Sequence, residues 1–262
     1  MRFFSPYFIL SFLLAFGAAT AAYSQTKGNL WLATGLQLQS GRDRGFSPMI
    51  YSGNRSFSLA AFGIESPHKT ETFQFEFGYG PLTNRFGNSL NALSAGLLNY
   101  TFYHKESPAE RGLHWGWSNQ NVFNIRRHNG FTNYSLRYDY FTAIGPALRY
   151  TYPFEWKGQS FKWQTLAHWQ VVGFQIKSGY IGADPEGLSE EKTGFGNLLR
   201  AVDPFFAGKE WSMGLESSLI WTLPTGNSLA IRYRPEISSL GGGQPVQRLG
   251  QAVLVMVTIR LW

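Results

Sequence analysis

The chain of 262 residues contains no cysteine. Disulfides, thiolate metal sites, a cysteine nucleophile and a lipid-modified cysteine are therefore all excluded. No apolar run is long enough to cross a bilayer as a helix, which takes about 20 residues. Charged residues are sparse at 15%, and no Pro- or Ser-rich linker or shift in composition marks a domain boundary. No spacing of histidines and carboxylates matches a metal site, and no cofactor is expected.

What is present begins with Arg2, an apolar run from Phe8 to Phe16 and the small residues that follow it. That run has the length of a secretory signal core. Ala22-Tyr23-Ser24 puts small residues at the two positions a signal peptidase inspects. Cleavage is expected before Gln25, with a cut after Ala21 as the alternative. Residues 1–24 are thus read as a signal peptide and 25–262, roughly 238 residues, as a single domain.

Aromatic residues make up 17% of the chain, and there are 29 glycines. Several segments alternate strictly, as half-exposed strands do. Leu30, Leu32, Leu36 and Leu38 share one parity, and Trp31, Ala33, Gly35, Gln37 and Gln39 the other. Phe73, Phe75, Phe77 and Tyr79 alternate with Thr72, Gln74, Glu76 and Gly78. Over 134–152, Leu136, Tyr138, Tyr140, Ile144, Leu148, Tyr150 and Tyr152 oppose Arg137, Asp139, Ala147 and Arg149. The clearest strand is 211–223, where Trp211, Met213, Leu215, Leu219, Trp221 and Leu223 oppose Ser212, Gly214, Glu216, Ser218 and Thr222.

Less regular strands are read at 55–66, 89–104, 112–126, 160–176, 228–236 and 250–262. In 160–176 the apolar parity moves from Phe161, Trp163, Trp169 and Val171 to Val172, Phe174 and Ile176, as a β-bulge would cause.

An exported protein that spans a membrane without helices must be a closed barrel, since no other strand arrangement satisfies every backbone hydrogen bond in lipid. The chain accordingly resembles bacterial outer-membrane β-barrel proteins. Its local motif is the terminal strand ending on Trp262, which the resemblance makes a signal for the barrel-assembly machinery. Arg260 and Thr258 depart from that motif, the more apolar parity being Val253, Val255, Val257, Ile259 and Leu261. Aromatic-rich strands and the Ser-Gln cleavage site look like proteins of the Bacteroidota.

The predicted fold is all-β, an antiparallel transmembrane barrel of about ten strands. Short periplasmic turns are expected at Pro67–Thr70, Lys105–Glu110, Pro153–Gln159 and Pro224–Asn227. Longer extracellular connections are expected at 41–54, 81–88, 127–133, 177–209 and 237–249. A soluble lipocalin-like or jelly-roll protein is the alternative, but it would turn its apolar faces inward.

A formal net charge of +7 would ordinarily raise nucleic-acid binding. Here the cations are dispersed among alternating strands of an exported chain, so no nucleic acid is expected. Arg and Lys near the rim are suited to lipopolysaccharide phosphates, and outer-membrane lipid is the expected solvent.

Parity turns Glu76, His114, Arg137, Asp139, Arg149, Lys162, His168, Glu216, Arg232 and Arg234 inward. Within a narrow barrel such charges must pair, and they are read as a lumen network. Outer-membrane proteases of the omptin type use two acidic pairs and a histidine, whereas Asp139 has no acidic neighbour in sequence. Lipid A deacylases and outer-membrane phospholipases use a lipid-facing His and Ser oriented by an acid or amide. The nearest match is His114-Trp-Gly-Trp-Ser118-Asn119, whose His and Ser point inward and stand about 13 Å apart along a strand, beyond a direct hydrogen bond. His128 is read as a solvated turn residue.

The long loop at 177–209 carries Asp184, Glu186, Glu190, Glu191, Phe195, Leu198, Leu199, Phe205 and Phe206. It is suited to folding over the lumen or contacting another outer-membrane protein. The expected role is a non-enzymatic structural or accessory barrel, alone or within a larger outer-membrane assembly. A narrow passive channel and a lipid- or peptide-hydrolysing enzyme are the alternatives.

Overall fold

The computed structural model describes residues 26–44, 47–105, 111–128, 130, 136–177, 202–207, 210–240 and 245–262. The signal-peptide segment 1–24 lies outside the described residues, as does most of the long loop, 178–201.

Twelve strands follow in chain order: β1 (Lys27–Asp43), β2 (Ser47–Glu65), β3 (Lys69–Thr83), β4 (Ser89–His104), β5 (Gly112–His128), β6 (Leu136–Trp156), β7 (Gln159–Gln170), β8 (Val172–Lys177), β9 (Asp203–Phe206), β10 (Trp211–Thr222), β11 (Ser228–Leu240) and β12 (Val246–Arg260). Every pairing is antiparallel, β1 joins β12, and the β5 to β6 ladder completes the ring. β7 and β8 are two halves of one stave broken at Val171. β9 and β10 are two halves of the next, so the barrel has ten staves. Closure leaves no strand edge to meet lipid, which is what a bilayer demands of a β structure.

The outer surface explains why this chain folds in lipid. Leu32, Leu36, Leu38, Phe77, Ile144, Leu148, Trp163, Met213, Leu215, Val253 and Val255 are all exposed large apolar side chains. Such a belt would be an aggregation site in water and is the normal surface of a barrel in hydrocarbon. At the end carrying both chain termini, aromatic rings form a girdle: Tyr152 lies 6.3 Å from Phe154, Phe154 5.6 Å from Phe161, and Phe161 6.4 Å from Trp221. In the orientation expected from the sequence, that end is the periplasmic one.

The parity shift in β7 and β8 is a bulge. Ala147 pairs with His168 and Ile144 with Val172, so three residues of that stave oppose two of β6. A second bulge, not visible in the sequence, lies in β4, where Leu97 and Leu98 together oppose Phe75. Leu98 adopts a left-handed φ of 54° there, and both leucines face lipid.

The connections are where the sequence reading needs correction. Pro153–Trp156 continues β6, and the turn is only Lys157-Gly158, with φ of 52° and 74°. Two consecutive positive φ values are the signature of a tight two-residue hairpin. Residues 41–43 and 47–54 belong to β1 and β2, and 237–240 and 246–249 to β11 and β12. The barrel wall therefore rises above the membrane where long loops were expected.

Trp262 leaves the strand line. Leu261 still donates its N–H to Gly28 O at 2.9 Å, after which the indole folds onto the outer wall. It stands 6.0 Å from the Phe62 ring and covers Gly28 so closely that a Cβ there would meet it at 2.3 Å. This resolves the departure noted in the terminal motif: the odd-numbered residues of β12 face lipid, and the aromatic terminus reaches the same surface by a turn past the strand end. Trp262→Ala is expected to lower stability by about 1 kcal/mol through loss of the ring contact, read as a lower urea midpoint in detergent micelles.

Candidate functional site

The lumen is organised in levels, and the strands' inward parity supplies every side chain in it. One wall, formed by β11, β12, β1 and β2, is apolar: Ala33, Phe57, Leu59, Ala61, Leu254 and Met256 pack together inside the barrel. A narrow barrel fills its interior with side chains, and on this side that filling is apolar.

The charges share the lumen with that cluster, several of them on the same strands (Arg232 and Arg234 on β11, Arg248 on β12, Asp43 on β1, Arg55 on β2), and they separate into two layers. In the middle of the barrel, Arg232 Nη1 meets Glu216 Oε2 at 2.8 Å. Arg234 is bonded to Glu76 and lies 3.5 Å from both Glu216 and Glu236. Arg232 Nε also donates to Ser218 Oγ at 3.1 Å. His168 sits beside this layer, 2.8 Å from Gln120 Nε2.

The second layer lies towards the extracellular end. Asp139 is bonded to Arg126 and accepts from Arg248 Nη2 at 2.8 Å and from Asn124 Nδ2 at 2.8 Å. Asp43 stands 2.9 Å from Arg126 and 3.0 Å from Arg137 Nε, the latter a contact of charge without hydrogen-bond alignment. Arg55 lies between the layers, bonded to Gln39 and donating to Gly78 O at 2.6 Å and Ser94 Oγ at 2.7 Å. The cavity between the layers is only about 60 Å³, and that above the outer layer about 30 Å³.

Below the middle layer the lumen opens into a vestibule of about 350 Å³ that reaches the periplasmic mouth at Lys27, Gly226 and Arg260. Arg149 belongs here. Parity turned it inward correctly, but it does not join the ion-pair network: its Nη2 donates to Thr70 Oγ1 at 3.0 Å and its guanidinium lies over Tyr103 at 5.0 Å. His114 is its register partner across the β5 to β6 ladder.

The predicted network therefore divides. Glu76, Glu216, Arg232 and Arg234 form the middle layer, while Arg137 and Asp139 join the outer one. Asp43, Arg126, Arg248, Glu236 and Arg55 were not anticipated. Asp43 and Arg248 had been placed in loops, and that is why they were missed.

His114 and Ser118 are not brought together. Ser118 Oγ accepts from Gln170 Nε2 at 2.8 Å, and His114 lies a level lower. His128, expected in a solvated turn, is instead buried at the end of β5. Its Nε2 lies 3.0 Å from the Tyr51 hydroxyl, and its Nδ1 accepts from the Gly130 N–H at 3.0 Å. Of the long-loop residues suggested for partner contact, 184–199 lie outside the described residues. Phe206, in β9, is exposed. Among the described residues, no three His, Asp or Glu side chains are grouped as a metal site.

No protein-family model matches the chain, and no curated protein matches it. Solved structures do resemble it. The translocator domain of the autotransporter NalP from Neisseria meningitidis is 10% identical, with 97% of this chain and 96% of that chain covered, at a TM-score of 0.41. An outer membrane channel from Pseudomonas putida F1 is 9% identical over 89% of this chain and 96% of its own, at 0.35. The P. putida toluene transporter TodX is 10% identical over 90% of each chain, at 0.30. The likeness is one of overall architecture.

Proposed function

We propose that this chain is an integral outer-membrane barrel that does not conduct, serving as a structural or accessory component of an outer-membrane assembly. The observation that carries the reading is the pair of ion-pair layers stacked across the lumen. Each carries buried charges whose partners are fixed on different strands, so opening a water path means separating desolvated ions at a cost of several kcal/mol each. Exposed Arg44, Arg85 and Arg127 at the extracellular rim support contact with lipopolysaccharide phosphates, for which planar guanidinium donors are well matched. A partner protein would meet the barrel through the long loop leading into β9.

The test is single-channel recording of the refolded protein in planar bilayers, alongside Glu216→Gln. Both proteins are expected to be silent, because the substitution loosens only the middle layer and leaves the outer one closed. Stable conductance from the wild type, altered by the substitution, would establish the passive-channel reading instead.

A further inference from the structure

The geometry points to an oxyanion-binding site in the periplasmic vestibule, with Arg149 as its principal ligand, His114 beside it, and a small phosphate or carboxylate compound as the occupant. The first support is charge. Three carboxylates line the vestibule, Glu65, Glu76 and Glu216, against Lys27, Lys105, Arg149, Lys162, Arg232, Arg234 and Arg260. Each carboxylate is already engaged: Glu65 by Lys105, Glu76 by Arg234 and Glu216 by Arg232. Among the described residues the cavity therefore holds more cations than carboxylates.

The second support is local and independent of the count. Arg149 is 8% exposed and His114 4%. Among the described residues no carboxylate lies within ion-pair distance of Arg149. Its Nε is buried without a hydrogen-bond partner, and so is His114 Nδ1. Both residues line the vestibule, and as neither of those two buried atoms is open to it, the donor Arg149 presents there is Nη1, for which no protein partner is found among the described residues.

The guanidinium is also held ready. The contact with Tyr103 and the bond from Nη2 to Thr70 hold the guanidinium in place and leave Nη1 for a ligand. A fixed guanidinium recognises carboxylate or phosphate oxygens where an ammonium would supply only a point charge. A protonated His114 nitrogen would donate to the same oxyanion. The cavity of about 350 Å³ sits at the small end of ligand pockets, which run from about 300 to 1,000 Å³. That size admits a phosphate ester or a dicarboxylate and not a polymer. Lys27 and Arg260, exposed at the mouth, draw anions in from the periplasm. Above the ligand the two ion-pair layers remain shut, so this site receives from the periplasm and passes nothing outward.

The experiment is calorimetric titration of the folded, signal-free protein in zwitterionic detergent at low ionic strength. Inorganic phosphate and succinate are the probes, and Arg149→Gln, Arg149→Lys and the exposed turn control Lys157→Gln are run in parallel. Retained folding is checked by heat-modifiable migration on gels. Saturable one-to-one binding is expected for the wild type and for Lys157→Gln, weakened at least about tenfold in Arg149→Gln and by less in Arg149→Lys, which keeps the charge and loses the planar fork.

Binding of phosphate alone assigns a phosphoryl ligand, and binding of succinate alone a carboxylate one. Absence of saturable binding of either by folded wild type overturns the proposal, and so does binding that Arg149→Gln leaves unchanged. Should Arg149→Gln not fold, Arg149→Lys against Lys157→Gln decides the point. The readout is independent of conductance, so this site and the closed-lumen reading can fail separately.

Discussion

Asp139→Asn is expected to destabilise the barrel by about 3–5 kcal/mol, the range for removing one partner of a buried ion pair. The substitution preserves shape and removes one charge at the point where three guanidinium groups converge. Arg126 and Arg248 both bind Asp139, and Arg126 and Arg137 both reach Asp43. With Asp139 neutral, three buried cations are left to a single aspartate, and the new amide N–H groups face donors where the carboxylate had accepted. The measurement is the urea midpoint for unfolding from detergent micelles. An unchanged midpoint would mean that the layer is wet and screened instead of buried. The combination Asp139→Asn with Arg248→Gln is expected to recover part of the loss, because it removes one of the stranded cations. Non-additivity in that cycle is what separates a coupled layer from independent surface charges.

The chemistry of this layer was only half legible in the sequence, for a physical reason. Alternation of apolar and polar residues exists because lipid selects one face and the lumen the other. Where the wall stands above the bilayer, both faces meet polar surroundings and the pattern lapses, although the hydrogen-bonded ladder continues. Ser52, Gly53 and Asn54 pair with Ser40, Gln39 and Leu38 across β1 and β2, yet they read as loop. Asp43 and Arg248 fell in such stretches, and with them went half of the outer layer. Residues within the apolar belt fared better: Glu76, Glu216, Arg232 and Arg234 were turned inward by parity alone, and the structure joins them.

Parity fixes a face but not a height. Arg149 and Arg137 share the inward face of β6, and twelve residues of strand separate them. Which cations meet which carboxylates depends on the stagger between staves, which no alternation encodes. The network was therefore predicted as one set, where the structure has two layers and a separate vestibule. The bulge at Val171 was legible because it reverses parity. The one at Leu97 and Leu98 was hidden because leucine suits lipid in either phase.

Beside that Val171 bulge lies a position with no room for a side chain. Gly145, on the lumen face of β6, lies so close to the bulged stave that a Cβ would fall 1.7 Å from Trp169 O and 2.9 Å from Gln170 Cα. The obstacle is backbone, so no rotamer change relieves it. Retreat is blocked as well, because Gln170 is fully buried and bonded to Ser118 across the lumen side, while Val171 N–H bonds Ile144 O at 3.1 Å. Gly145→Val is expected to cost about 3 kcal/mol or more, at or beyond the upper range for overpacking, and to leave most of the protein unfolded in refolding assays scored by gel migration. Gly87→Ala is the comparison. Gly87 has a φ of 81° with nothing within 4 Å of its Cβ position, so only left-handed strain of about 1–2 kcal/mol applies. If both variants lose the same amount, the close approach of backbones at the bulge is not what holds the β6 and β7 staves in register.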